Sequence, residues 1–189
     1  KIRDVKAFRE LALFLISNAT SPASFNNLKK LLGFKSVTTV KSYVDFLEES
    51  YLIFSVPKFD YSLKKQIINE RKIYAIDTGI INSVAFSFSS NFGRLLENVV
   101  YIELKRRGHV IYYHQNKNEC DFILKQGTKI TQAIQVTEIL DRRTRDREIA
   151  GLVEALESYQ LMSGTIITFD QEEEIKINKH TIKVMPIWK

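Results

Sequence analysis

Apolar residues in the first half of the chain recur at helical spacing. Val5, Phe8, Leu11, Ala12, Leu15 and Ile16 predict a first helix, which the stretch 18–22 interrupts. Ser24 stands where a second helix needs an N-cap, with Phe25, Leu28, Leu31 and Leu32 on its apolar face and Gly33 as its stop. Ser36 caps a third helix. Its inward set is Val37, Val40, Val44 and Leu47, and its other face carries Thr38, Thr39, Lys41, Ser42 and Asp45. Two β-rich segments follow, 51–56 and 72–76, joined by a polar stretch with Lys58, Lys64 and Lys65. Three helices and a two-stranded wing predict a winged helix-turn-helix.

The second half reads helix, three strands, helix, two strands. Leu95, Leu96, Val99, Val100, Ile102 and Leu104 cover more than one face of the first helix, so it is expected to be mostly buried, ending at Gly108. The strands are expected at 110–113, 120–124 and 133–136, with a Gln126-Gly127 turn. Ile149, Leu152, Val153, Leu156 and Tyr159 mark the second long helix, and 165–169 and 181–187 close the sheet. Glu172, Glu173 and Glu174 read as a solvated hairpin tip, and Asp77-Thr78-Gly79 as a turn with its own hydrogen bonds. The serine-rich stretch 86–91 separates two α/β domains, placed at 1–88 and 89–189.

Composition narrows this picture without redirecting it. Hydrophobic residues make up 44% of the 189 and charged residues 26%, which favours folded domains over disorder. No apolar run approaches the roughly 20 residues that span a bilayer, so no membrane partner is expected. The single cysteine, Cys120, fits a reducing cytoplasm. The chain starts at Lys1, not methionine, and is expected to be part of something longer. The net charge of +6 is uneven: residues 1–90 hold 13 basic and 8 acidic residues, whereas residues 91–189 hold 15 and 14. The basic excess belongs to the first half and favours a polyanionic partner there.

The candidate chemistry lies in the second half. Glu97 follows Gly93-Arg94-Leu95-Leu96 on a helix, Glu119 and Asp121 enter an apolar strand, and the next strand carries Gln135-Val136-Thr137. Metal-dependent phosphodiester cleavage needs carboxylates for a hard cation and a cationic group near the growing charge. The PD-(D/E)XK nuclease pattern puts an acid and a lysine at i and i+2 of that last strand. Here those places hold Gln135 and Thr137, neither of which carries charge. The frame Glu97, Glu119, Asp121, Gln135 and Thr137 is thus expected to be inactive, with Asp121 as the one candidate metal ligand. Glu138 could replace the acid, and Lys125 or Lys129 the lysine. Glu138 should face away from Thr137 by strand alternation.

The run 43–53, Lys72-Ile73-Tyr74-Ala75-Ile76-Asp77-Thr78-Gly79, Gly93-Arg94-Leu95-Leu96-Glu97-Asn98 and Asn118-Glu119-Cys120-Asp121-Phe122 together resemble the C-terminal region of a family of prokaryotic AAA+ superfamily ATPases. The resemblance covers almost the whole chain. It implies a winged helix followed by a domain of unknown function with a restriction-endonuclease-like α-β-β-β-α-β core and a mixed sheet. It also implies ATP and Mg²⁺ in an upstream module. The chain itself has no Gly-x-x-x-x-Gly-Lys-Ser/Thr, so no cofactor and no ATPase activity are expected within it. The family usually shows Glu-x-Lys where this chain has Gln135-Val136-Thr137.

The expected function is a non-catalytic recognition or regulatory module that binds duplex DNA or a partner protein. A metal-dependent nuclease with a degenerate site is the alternative, and a protein-binding module of a toxin–antitoxin or signalling system the second. Thr38, Thr39, Lys41 and Ser42 are the candidate DNA contacts on the third helix, and Arg142, Arg143 and Arg145 a second basic cluster, which Arg147 extends. His109, His114 and His180 lack cysteine partners at ligand spacing, so zinc is not expected.

Overall fold

The computed structural model describes residues 2–84 and 92–189. The chain forms two compact units, Lys1–Ser90 and Asn91–Lys189. The boundary expected at 86–91 lies outside the described residues.

In the first unit, α1 (Val5–Ser17), α2 (Phe25–Leu31) and α3 (Val37–Glu49) begin at side-chain caps. Asp4 Oδ1 accepts from the Ala7 N–H at 3.0 Å and Ser36 Oγ from the Thr39 N–H at 3.1 Å, each satisfying an otherwise orphan donor. Gly33, with φ +69°, supplies the left-handed turn after α2. The core is built from Leu11, Leu15, Val40, Val44, Leu47, Ile53, Ile73 and Tyr74. Tyr43 joins it edge-on to Phe8 and Phe34, at centroid distances of 5.3 and 5.7 Å. Val5 and Leu31, expected to face inward, are 71% and 63% exposed, because both lie at helix ends beyond the reach of the core.

Strands β1 (Pro22–Ala23), β2 (Ile53–Pro57) and β3 (Arg71–Ala75) make an antiparallel sheet in the order β1-β3-β2. The polar stretch between β2 and β3 is not an open loop: it contains α4 (Leu63–Ile68), none of whose residues is buried. At the entry to α5 (Thr78–Val84), Asp77 Oδ1 accepts from the Gly79 N–H at 2.6 Å, the local bond expected of Asp77-Thr78-Gly79.

The second unit is a six-stranded mixed sheet with two long helices. Its elements run α6 (Phe92–Arg106), β4 (Val110–Gln115), β5 (Glu119–Gln126), β6 (Lys129–Val136), α7 (Arg145–Tyr159), β7 (Ser163–Thr168), β8 (Glu173–Ile177) and β9 (His180–Pro186). The strand order is β4-β5-β6-β7-β9-β8, with β6, β7 and β9 parallel to one another and the other pairings antiparallel. On β5, Phe122 stacks on Tyr101 of α6, while its neighbour Ile123 packs in a cluster with Leu152, Ala155 and Leu156 of α7. Successive strand residues point to opposite faces, so the helices cover opposite sides of the sheet. Two expectations are corrected here. Val99 is 43% exposed, so α6 buries one face and not most of its circumference. Glu173 and Glu174 belong to the edge strand β8 and not to a hairpin tip, because Ile175 and Ile177 pair it to β9. Among the described residues, no helix is long and apolar enough to cross a membrane.

Candidate functional site

A cleft of about 870 Å³ opens in the second unit where β5 begins, β6 ends and α7 starts. The β5–β6 ladder runs from Gln126↔Lys129 to Phe122↔Ile134, and the paired register ends there. Beyond it, side chains replace backbone pairing. The Asp121 N–H donates to Gln135 Oε1 at 3.2 Å, and the Val136 N–H donates to Asp121 Oδ2 at 2.9 Å. Buried backbone donors need such partners, and the crossed pair supplies them where the strands part company.

Gln135 also reaches the helix. Its Nε2 donates to Glu148 Oε2 at 2.5 Å, while the other Glu148 oxygen accepts from Nε and Nη2 of Arg147. Asp121 and Glu148 are 5% and 4% exposed, so both carboxylates are charges taken from water and held by N–H donors. Gln135 performs a task that the acid of the nuclease pattern cannot: its amide accepts with one end and donates with the other. Among the described residues, no group of three or more His, Cys, Asp or Glu side chains could hold a metal ion. At Asp121, Oδ2 accepts from the Val136 N–H.

Thr137, only 7% exposed, donates its hydroxyl to the carbonyl of Ile139 at 3.3 Å. Glu97 and Glu119 line the cleft with Asp121, Gln135 and Thr137, so the fold brings together all five residues of the frame. Glu138 lines it too, contrary to the alternation argument, because β6 ends at Val136 and the period of two ends with it. Lys125 and Lys129 sit at the far end of the β5–β6 hairpin and do not border the cleft. At Glu119, α7 comes close against the backbone of β5. A Cβ on Gly151 would lie 2.0 Å from the Glu119 carbonyl oxygen, so only glycine allows this approach.

The basic cluster is divided by its partners. Arg145 makes a forked pair with Glu173 of β8, at 2.7 and 3.1 Å, and its hydrogen bonds hold the Glu173 carboxyl below the usual range. Arg147 is drawn to Glu148, Arg143 lines the cleft, and Arg142 is exposed. In the first unit, Thr38, Lys41, Ser42 and Asp45 share one exposed face of α3, whereas the Thr39 hydroxyl turns back to Ser36 Oγ at 3.0 Å. Glu48 accepts from the Ser55 N–H at 2.7 Å and is tied to β2.

Two structural residues escape the motif reading. Glu148 hides in a charged run, although its spacing to Gly151, Leu152 and Ala155 marks the buried face of α7. Glu154, further along the same helix, organises the 115–118 loop. It accepts from the Lys117 and Asn118 N–H groups, from Asn118 Nδ2 and from buried His114, whose other nitrogen meets the Tyr159 hydroxyl at 2.9 Å. Burial pushes the Glu154 carboxyl up, but the bonds from His114 and Asn118 outweigh this and hold it below its ordinary value.

Comparison with known proteins places this arrangement. Residues 1–91 match a family described as a domain of unknown function (DUF8612), and residues 92–189 one described as a domain of unknown function (DUF4143). An uncharacterized protein of Methanocaldococcus jannaschii is 34% identical over 200 residues, covering 100% of this chain and 44% of its own length. An uncharacterized protein of Haemophilus influenzae is 24% identical over 177 residues, covering 91% of this chain and 44% of its own. The chain thus spans less than half the length of these curated relatives. No solved structure matches. With the DUF4143 match extending over the whole sheet, both covering helices and the cleft, the chain belongs to the DUF4143 family.

Proposed function

We propose that this chain is a non-catalytic recognition and regulatory portion of a longer AAA+ superfamily ATPase, and that its first unit is a winged helix that binds duplex DNA. The second unit is read as a PD-(D/E)XK-like core that has given up cleavage. The observation that carries this reading is the Gln135 amide seated between the Asp121 N–H and the Glu148 carboxylate. The Glu148 oxygen that a hard cation could take accepts from Gln135 instead, Asp121 Oδ2 accepts from the Val136 N–H, and Thr137 supplies no cation beside them. Losing one transition-state stabiliser costs roughly 10² to 10³ in rate, and two positions have changed here. On the first unit, exposed Thr38, Lys41 and Ser42 offer hydroxyl and ammonium donors to phosphates and base edges.

The test has two arms. The purified chain should cut neither DNA nor RNA with Mg²⁺ or Mn²⁺; cleavage that disappears in Asp121→Ala would overturn the non-catalytic reading. Duplex binding should weaken in Lys41→Ala, with a salt slope lower by about one phosphate contact. Unchanged affinity and slope would remove α3 from the interface. The partner-protein reading rests on a separate observation: Tyr61, Leu63, Ile67 and Ile68, in and beside α4, are 50–83% exposed.

A further inference from the structure

Three aromatic rings stand at the margin of the second unit's cleft and are not buried as core aromatics are. Phe92 meets Phe169 edge-to-face at 5.2 Å, and Phe169 meets Trp188 the same way at 6.4 Å. Phe169 is 47% exposed and Trp188 64%, whereas Tyr113 and Phe122, in the sheet of the same unit, are fully buried. The chain of rings joins the cleft at two points. Gly93, next to Phe92, lines it, and the Phe169 N–H donates at 3.1 Å to the carbonyl of Glu138, which lines it as well.

The charges beside these rings are layered. Arg94, Lys117, Arg143 and Arg147 line the cleft and are exposed, as is Asp141; Glu97, Glu119 and Glu138 line it half-buried, and Asp121 and Glu148 are buried. Asp121, Asp141 and Glu148 already accept N–H donors. The exposed charges of the lining are thus four cations, Arg147 among them already paired with Glu148, and one acid. Exposed aromatic rings beside outward cations are the pairing that single-stranded nucleic acid uses, with bases stacking on rings and phosphates meeting Arg and Lys. A duplex keeps its bases stacked within itself and cannot use the rings in this way.

We infer that the cleft margin formed by Phe92, Phe169, Trp188 and Arg94 is a binding surface for single-stranded nucleic acid. It is separate from the α3 face of the first unit and does not depend on that reading. Trp188 is the chain's only tryptophan, so its fluorescence reports on this surface alone. A short oligothymidylate added to the whole chain at low salt should quench it, and added salt should reverse the quenching. Phe169→Leu keeps an apolar side chain against Phe92 and should weaken binding about five- to a hundredfold, the range of one lost base stack. Arg94→Ala should lower the salt slope by about 0.7, the value for one phosphate contact on a single strand. Unaltered thermal melting would show that both variants fold, and Lys41→Ala should leave the quenching intact. No quenching at low salt, equal quenching by a blunt duplex, or quenching lost in Lys41→Ala but kept in both cleft variants would each overturn the assignment. The last result would leave the α3 reading standing.

Discussion

The third helix of the first unit and the first turns of α7 look alike as strings of polar and charged residues, yet the fold treats them in opposite ways. On α3, Thr38, Lys41 and Ser42 stay exposed. On α7, Arg145 is claimed by Glu173, Arg147 by Glu148, and Glu148 also by Gln135. A polar helix face is an interface only where no neighbouring element supplies its partners. For α7, β6 and β8 supply them.

The sharpest way to break this contrast is to move α7. Gly151→Ala puts a Cβ against the backbone carbonyl of Glu119, and backbone has little room to yield. Alanine would gain about 1 kcal/mol in helix propensity, but overpacking costs about 1–3 kcal/mol, and more against a main chain. A net loss of about 2 kcal/mol is expected, which lowers the midpoint of thermal unfolding by about 4–8 °C for a chain of this size. An unchanged or raised midpoint would mean that α7 does not lie so close to β5.

Glu148→Ala should come next. It leaves the Gln135 amide and the inner edge of Arg147 without their acceptor, at about 1–3 kcal/mol for a buried donor. The Arg147 side chain is 76% exposed and can rehydrate, which keeps the loss from the larger figures for fully buried pairs. Urea unfolding measures it. Lys41→Ala, on the free face of α3, should stay within about 0.5 kcal/mol of the parent. Equal losses at the two positions would erase the contrast.

Glu154 sharpens the comparison through pH. Its folded carboxyl lies below the ordinary value of 4.5, so its stabilisation is fully present above that value and is lost as pH falls through the lowered one. Glu154→Gln should therefore flatten the acid limb of a stability profile below about pH 4.5. An identical limb in the variant would place the acid sensitivity elsewhere. Arg145→Ala should have the smallest effect. Its pair with Glu173 is over one-third exposed on both sides, worth about 0.2–1 kcal/mol and weaker in added salt.

The elements that the hydrophobic pattern revealed are those with a core to face. α3 shows Val40, Val44 and Leu47 at helical spacing because that stripe is buried, and β5 shows an apolar run because both of its faces are covered. The element α4 was hidden in a polar stretch because none of its residues is buried, and β8 was masked by its three-glutamate approach. At the cleft, the acids and their order along the chain were legible, as was the loss of charge at Gln135 and Thr137. The positions of Glu138 and Glu148 were not, since one follows the end of a strand and the other belongs to a helix ten residues on.

Residue types and local spacing alone thus determined the helix caps at Ser24 and Ser36, the order of every element of the second half but β8, and the absence of a charged acid–lysine pair. Those depend on interactions within a few residues. Only tertiary structure decided that Gln135 bridges Asp121 and Glu148, that Arg145 is spent on β8, that Gly151 must lack a side chain, and that Phe92, Phe169 and Trp188 meet. Each of these joins residues 13 to 77 positions apart or sets a helix against a strand. Periodicity carries no record of such distances: it tells which face of an element is buried, and not what it is buried against.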